Sequence, residues 1–353
     1  VDVIYNDDFD LLLQDFRDGS SLWTECEDMN VLITGGAGFI GSNLVQHLSL
    51  FTQYKKIGVV DNFDPFYPEE IKKKRIKKWG KMHNVQMFEA DIRDESEMDE
   101  IFQIENWDTV IHLAAVPCAR FSIEDPALYS DVNVTGTVQL LQLAAEHEIK
   151  RFIFISSSSV YGSVDNPYPF HEDEIVSMPI SPYAASKWAA ENYCQLFHQL
   201  YGFDITVLRL FTTFGPGQRP DMAMHKFAEQ MIANKPVTIF DPESTRDYTY
   251  ISDVVEAIRT TLEWTNGYQV YNVGSGISVS IMQMLEVLSN ALGIPHEIKI
   301  LGEQEGEVKH KVANIRKMEQ TMGFRPKVNF HEGILLFANS FLEENQLKKG
   351  YKF

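Results

Sequence analysis

Residues 31–48 read VLITGGAGFIGSNLVQHL, a short apolar run, three glycines at every third position, and a stretch with helical apolar spacing. Few folds accept that order. Gly35 permits a tight turn after a strand, Gly38 lets backbone N–H groups close on a pyrophosphate, and Gly41 lets helix pack on strand. The glycine spacing alone is weak; a strand before it, a helix after it and an acid downstream make it specific. That acid is Asp61, at the end of the next apolar run in VVDN. A carboxylate there takes the adenosine ribose hydroxyls and repels a 2′-phosphate. No arginine follows it, so NAD is favoured over NADP. The alternative is a surface-turn aspartate. Asp91, in EADIRD, stands where an acid receives the adenine amino group, or is an ordinary loop residue.

From Met29 onward apolar runs alternate with amphipathic stretches. Candidate strands are residues 30–35, 56–61, 84–90, 109–115, 151–156 and 205–211, rich in Val and Ile and separated by helical segments. This is the pattern of a doubly wound parallel (Rossmann) α/β sheet buried on both faces. Strands thin out after Phe214 while Gly, Pro and Asn rise, which predicts a smaller interleaved C-terminal α/β lobe. We expect an acidic extension at 1–28, a dinucleotide-binding domain at 29–213 rejoined by a strand near 268–273, a substrate lobe at 214–345 and a tail at 346–353. Ligands belong at the carboxyl edge of the sheet.

Charge and cysteines narrow the function classes. The 353 residues carry a formal charge of −19, which argues against nucleic acid or an anionic membrane as partner. Much of it is local, since residues 1–30 hold nine acids against one base, Arg17. The one basic cluster, IKKKRIKKWGK at 71–81, reads as a solvated helix face with Ile71, Ile76 and Trp79 turned inward. It could also raise the potential near an anionic ligand. Cys26, Cys118 and Cys194 form neither a disulfide framework nor a metal motif, so no metal is expected. With no long apolar run and no basic-then-apolar start, a reducing cytoplasm is the expected location.

Chemistry is announced in SPYAASKWAAENYCQLF, the one place where Tyr and Lys stand four apart, Tyr183 and Lys187. On a helix they share a face. A free phenol is a poor base at neutral pH, but an ammonium close by together with a cationic nicotinamide favours phenolate. Lys187 can also hold the nicotinamide ribose. The serine run in FIFISSSSVYG, at the end of the fifth apolar run, is filler or a row of hydroxyls beside that tyrosine.

TGGAGFIG, HLAA, SSSSVYG, YAASK, NVTGT, RLFTTFGPGQRPDM and RDYTYISDVVEAI, in that order from about residue 29 to 345, resemble the extended short-chain dehydrogenase/reductases, in particular the nucleotide-sugar 4-epimerases. The resemblance implies a tightly held NAD contacted by Gly35, Gly38, Phe39, Ile40, Asp61, Asn62, Asp91, Ile92, Leu113, Ala114, Ala115, Tyr183 and Lys187. It implies a UDP-sugar in the cleft, and a homodimer formed through helices at about 131–148 and 183–201. Ser157 matches the serine that bonds the sugar 4-hydroxyl beside the tyrosine, with Ser158 next to it. Asn133 matches a structural asparagine, and Arg246 an arginine that grips the diphosphate, unless it is a surface ion-pair residue.

Two positions bear on the sugar. Galactose epimerases of this group commonly read Arg-Tyr-Phe-Asn after the sixth strand, whereas this chain reads RLFT, with Thr212 in the asparagine's place. GQRPDM looks like the UDP-glucuronate 4-epimerases, in which the arginine matching Arg219 meets the sugar carboxylate; pairing with Asp221 is the other reading. Gln304 stands where galactose epimerases often carry a second phosphate-binding arginine; the uronate enzymes tend to read Gln-Pro-Gly-Asp-Val there, so Glu305 and Glu307 depart from both patterns. Dehydratases of the superfamily carry Asp-Glu before VYG and the decarboxylases a glutamate, where this chain has Ser158 and Ser159. Neither serine can act as acid or base at neutral pH. The expectation is therefore 4-epimerisation of a UDP-sugar, UDP-glucuronate foremost. UDP-glucose, UDP-N-acetylglucosamine or a non-catalytic sensor remain open.

Overall fold

The computed structural model describes residues 28–162, 168–174, 178–264, 266–302 and 308–349, with the side chains of 346–349 left aside. The acidic arm before Asp28, and Gln304, Glu305 and Glu307, lie outside these residues. The short apolar runs do become strands: β1 (Met29–Thr34), β2 (Tyr54–Val60), β3 (Val85–Phe88), β4 (Thr109–His112), β5 (Arg151–Ser157), a sixth at Asp204–Leu210 and a seventh at Tyr268–Val273. All pair in parallel, in the order β3-β2-β1-β4-β5-sixth-seventh.

Period-two alternation divides each strand between two layers. Val31 and Ile33 face one side and pack with Leu44 and Val45 of helix Phe39–Leu48 and with Val254 and Ile258 of helix Ile251–Trp264. Leu32, Phe152 and Phe154 face the other and pack with Leu140 and Leu141 of helix Gly136–Glu146 and Ala190 and Cys194 of helix Pro182–Tyr201. Because β1 leads one way to β2 and β3 while β4 lies on its other flank, the loops after β1 and β4 diverge. The crevice opens there.

The rest of the chain builds a smaller lobe. Strands Thr212–Phe214, Thr245–Tyr250 and Ser278–Ser280 form one sheet, and Val237–Ile239 pairs with Ile298–Ile300. Helices Ala223–Ile232 and Ile281–Leu292 cover them, the latter started by a Ser280/Gln283 capping box and ended by left-handed Gly293. Two-residue strands Pro169–Phe170 and Val312–Ala313 tie this lobe back to the edge of the first. Buried Asp247 fastens the joint, accepting from the N–H groups of Ser275, Gly276 and Ala313 at 2.6, 2.9 and 3.0 Å. Helix Ile251–Trp264 and the seventh strand then return to the large sheet. Among the described residues no helix is long and apolar enough to cross a membrane.

The basic cluster corrects the expectation of a wholly solvated face. Helix Glu69–Trp79 does bury Trp79, and Lys73, Lys74, Lys77 and Lys78 face out. Lys72 and Arg75, however, point inward and are buried. Lys72 reaches Asp61 at 3.1 Å. Arg75 donates to the Ala37 carbonyl (3.2 Å), the Tyr67 hydroxyl (2.7 Å) and the Gly217 carbonyl (2.6 Å), so it straps the glycine loop to the start of the second lobe.

Candidate active site

The glycine loop has the shape its spacing implies. Gly35 has φ +71°, and a Cβ on it would stand 2.6 Å from the Ala114 nitrogen; a Cβ on Gly41 would stand 2.3 Å from the Gly35 carbonyl oxygen. No side chain fits at either place. Gly38 begins helix Phe39–Leu48 in extended conformation with no side-chain cap, which leaves first-turn N–H groups for an anion. This cradle fits the pyrophosphate of a dinucleotide.

A cavity of about 490 Å³ runs from this loop along the carboxyl edge of the sheet. At its near end it is lined by Gly35, Gly38, Phe39, Ile40, Asp61 and Asn62, then by Asp91, Ile92, Leu113, Ala114 and Ala115. Ser157, Ser158, Tyr183, Lys187, Thr212 and Arg219 line the far end. Arg246 is the exception. It does not line this cavity, and its guanidinium donates to the carbonyls of Thr245 and Lys309 at 2.9 and 3.1 Å. Its position in Thr245–Tyr250 turns it toward the segment after residue 308, a placement the motif alone does not reveal.

The two acids at the near end have partners of their own. Asp61 accepts from the Ala37 and Phe63 N–H groups (3.1 and 2.9 Å) and from Lys72. No arginine follows it in sequence, but this lysine meets it in space. Asp91 accepts twice from the Arg93 guanidinium, at 2.9 and 2.8 Å, once from the Arg93 N–H at 2.9 Å and once from Asn62. Those bonds, Arg93 foremost, hold its carboxyl down at about 2.

At the far end Tyr183 and Ser157 line the cavity together, with the Ser157 hydroxyl near enough to act on the phenol. Lys187, one helical turn on, is buried, donates to the Ile155 carbonyl at 2.9 Å and lies 4.8 Å from the centre of the Phe154 ring. Burial pulls its pKa down to about 8. Burial pushes the Tyr183 phenol up, while the Ser157 hydroxyl and the Arg219 charge pull it back. In the chain by itself, desolvation outweighs the cationic help expected from the Tyr-Lys spacing. Arg219 makes a two-bond pair with Asp221, both at 2.9 Å, and Asp221 lines the cavity too.

Asn133, together with groups that motif reading passed over, holds this wall rigid. Residues 131–135 form a π-turn that opens helix Gly136–Glu146, a distortion common at functional sites. It points Asn133 at the Val116 backbone, accepting its N–H (2.8 Å) and donating to its carbonyl (3.1 Å), with a further bond to Ser186 (3.0 Å). Thr137 donates to the Asn133 carbonyl, so His112 Nε2–H must donate to the Thr137 hydroxyl at 3.0 Å. The Thr34 hydroxyl accepts from the Ala114 N–H and donates to His112 Nδ1 at 2.7 Å. Burial, then Lys187, keeps this imidazole neutral. One polar chain therefore links the end of β1 to the Tyr183 helix. Beneath it Glu191, one turn after Lys187, accepts from Ser156 and from Arg209, whose closest contact is 2.7 Å. Losing one partner of such a buried pair typically costs about 3–5 kcal/mol. The spacing Tyr183-Lys187-Glu191 was a readable signal for it.

Lineage agrees with the geometry. The profile of the family described as GDP-mannose 4,6 dehydratase matches residues 32–336. The chain belongs to that family. Within this family it is 36% identical over 323 residues to a UDP-glucuronate 4-epimerase of Thermodesulfobacterium geofontis, covering 91% of this chain and 98% of that one. The crystal structure of UDP-glucuronic acid 4-epimerase from Bacillus cereus, in complex with UDP-glucuronic acid and NAD, superposes with a TM-score of 0.85 at 33% identity. It covers 90% of this chain and all of that one. A UDP-glucose 4-epimerase of Thermotoga maritima with UDP-glucose gives 0.81 at 33% identity over 90% of this chain and all of that one.

Proposed function

We propose that this protein interconverts UDP-glucuronate and UDP-galacturonate by oxidising and re-reducing carbon 4 of the sugar. One observation carries the reading furthest: the wall beside Tyr183 presents Ser157, Ser158 and Ser159 and no carboxylic acid at those positions. Such a wall can orient a 4-hydroxyl but cannot protonate or deprotonate a neighbouring carbon, so elimination and dehydration have no agent there. NAD held along the glycine loop would supply the hydride acceptor and donor that inversion at carbon 4 requires.

The chain's own groups do the rest. The glycine loop and Asp61 hold the dinucleotide, with Asn62 and Asp91 at its adenine end. Tyr183 takes the proton of the 4-hydroxyl and later returns it, and Ser157 fixes that hydroxyl. Lys187 holds the nicotinamide ribose. Thr212 and Arg219 face the uronate carboxylate, and restraining that group disfavours loss of carbon dioxide from a β-keto acid. Thr212 and GQRPDM favour the uronate over UDP-glucose. Incubation with UDP-glucuronate, followed by proton NMR, should yield UDP-galacturonate. A UDP-pentose product would make the protein a decarboxylase instead, and turnover of UDP-glucose alone would move the substrate assignment.

A homodimer completes this reading. Trp188, Leu196 and Leu200 are 40%, 44% and 63% exposed on one stripe of helix Pro182–Tyr201. A second copy presenting the same stripe buries it by twofold symmetry. Wild-type protein should sediment at twice the protomer mass and Leu196→Glu at the protomer mass; a wild-type monomer at micromolar concentration would sink this arrangement.

A further inference from the structure

The dinucleotide end of the cavity carries a cation that binding NAD does not require. Lys72 lines the wall beside Asp61, and the two side chains, 8% and 5% exposed, form an ion pair at 3.1 Å. The lysine is held for this contact. It projects from the first turn of helix Glu69–Trp79, and its ammonium lies 5.4 Å from the centre of the Tyr67 ring. Tyr67 is fixed in turn by Arg75, which donates to its hydroxyl at 2.7 Å. Asp61 is equally fixed, since its two oxygens also accept from the Ala37 and Phe63 N–H groups.

An acid at the end of β2 rejects a 2′-phosphate by its charge. That holds for a lone carboxylate. Paired with an ammonium at 3.1 Å, Asp61 brings no net charge to the adenosine ribose, so the repulsion is cancelled at its source. The ammonium also has three N–H donors, and the bond to Asp61 uses one of them. A phosphate monoester beside Asp61 can take another, as a charge-assisted hydrogen bond. Two further acids line this end. Asp91 is matched by Arg93 at 2.8 Å. Asp64, whose carboxylate accepts from the Phe66 N–H, keeps a negative charge in the wall. The preference for NAD is therefore narrowed and not reversed.

We propose that Lys72 makes the site tolerant of a second cofactor class, dinucleotides phosphorylated on the adenosine 2′-hydroxyl, so that the chain takes NADP as well as NAD. The proposal rests on the dinucleotide site and is independent of which sugar is turned over. The full chain is equilibrated with NAD and NADP, from equal amounts to about a 10⁴-fold excess of NADP, until the bound ratio is constant. Free nucleotide is removed by gel filtration, and the bound nucleotides are extracted and quantified by chromatography. Wild type should reach equal occupancy at about a 10- to 100-fold excess of NADP. Lys72→Met should raise that excess by about another 10- to 100-fold, the worth of a charge-assisted bond. Lys72→Arg keeps the charge and should stay with wild type. A lysine with a merely structural role would weaken both nucleotides alike, leave the ratio unmoved and overturn the proposal. So would a wild type that holds no NADP at the largest excess, or an arginine variant as selective as the methionine one.

Discussion

Tyr183→Phe should lower turnover of UDP-glucuronate by about 10²- to 10⁴-fold, the usual worth of a positioned acid–base group, while NAD stays bound. The ring is retained, so its edge-on packing against Tyr129, with centroids 6.2 Å apart, survives. Only the hydroxyl beside Ser157 is lost. KM should therefore move much less than kcat. Stopped turnover with unchanged NAD content, measured by absorbance of the extracted cofactor, supports the assignment. Retention of full activity would remove Tyr183 from the mechanism.

Lys187→Met is expected to do two opposite things. Turnover should fall by at least about 10²-fold, because the ammonium proposed to hold the nicotinamide ribose is gone. The cofactor-free fold should become more stable near pH 7, because a buried charge has been removed. The direction follows from the pKa, which burial moves from 10.5 down to about 8. A basic group depressed in the folded state binds fewer protons there than in the unfolded chain, so it costs stability below its folded pKa. Full protonation of a group so shifted corresponds to about 3 kcal/mol, part of which returns through the lost bond to the Ile155 carbonyl. The cost is relieved as pH rises from about 8 toward 10.5. Denaturant melts of both proteins without NAD should show the variant more stable at pH 7, with the gap closing by pH 10. A pH-independent gap, or a less stable variant, would mean that the lysine is held by its contacts and not strained by burial.

Much of the architecture was readable because it is local. Gly35 and Gly41 are dictated by contacts within one turn and by the strand beside it, and Tyr183 and Lys187 share a face by helical spacing. Short Val- and Ile-rich runs separated by helices leave few arrangements other than a parallel sheet. What the pattern could not say is which charged side chain meets which distant partner. Lys72 and Arg75 sit in a run of lysines and look solvated. They are buried because Asp61 and, far along the chain, the Gly217 carbonyl come to meet them. Arg246 is a different case: its motif is present, but it does not line the cavity and its guanidinium donates to the Thr245 and Lys309 carbonyls. His112 lay in a quoted motif with no role assigned. Its role depends on Thr34 and Thr137, brought together only when β1, β4 and the helix at 136 pack.

The late return of the seventh strand has a consequence for how the protein is made. The first six strands leave the ribosome with the sixth as an open edge, because its neighbour Tyr268–Val273 follows only after most of the second lobe's first strands and helices. Helix Ile251–Trp264, which covers one face of that sheet, emerges just before it. Until then Asp204–Leu210 offers unpaired backbone groups to any other strand in reach. A lesion in residues 251–273 is thus expected to register first as aggregation during synthesis, before any loss of chemistry at carbon 4.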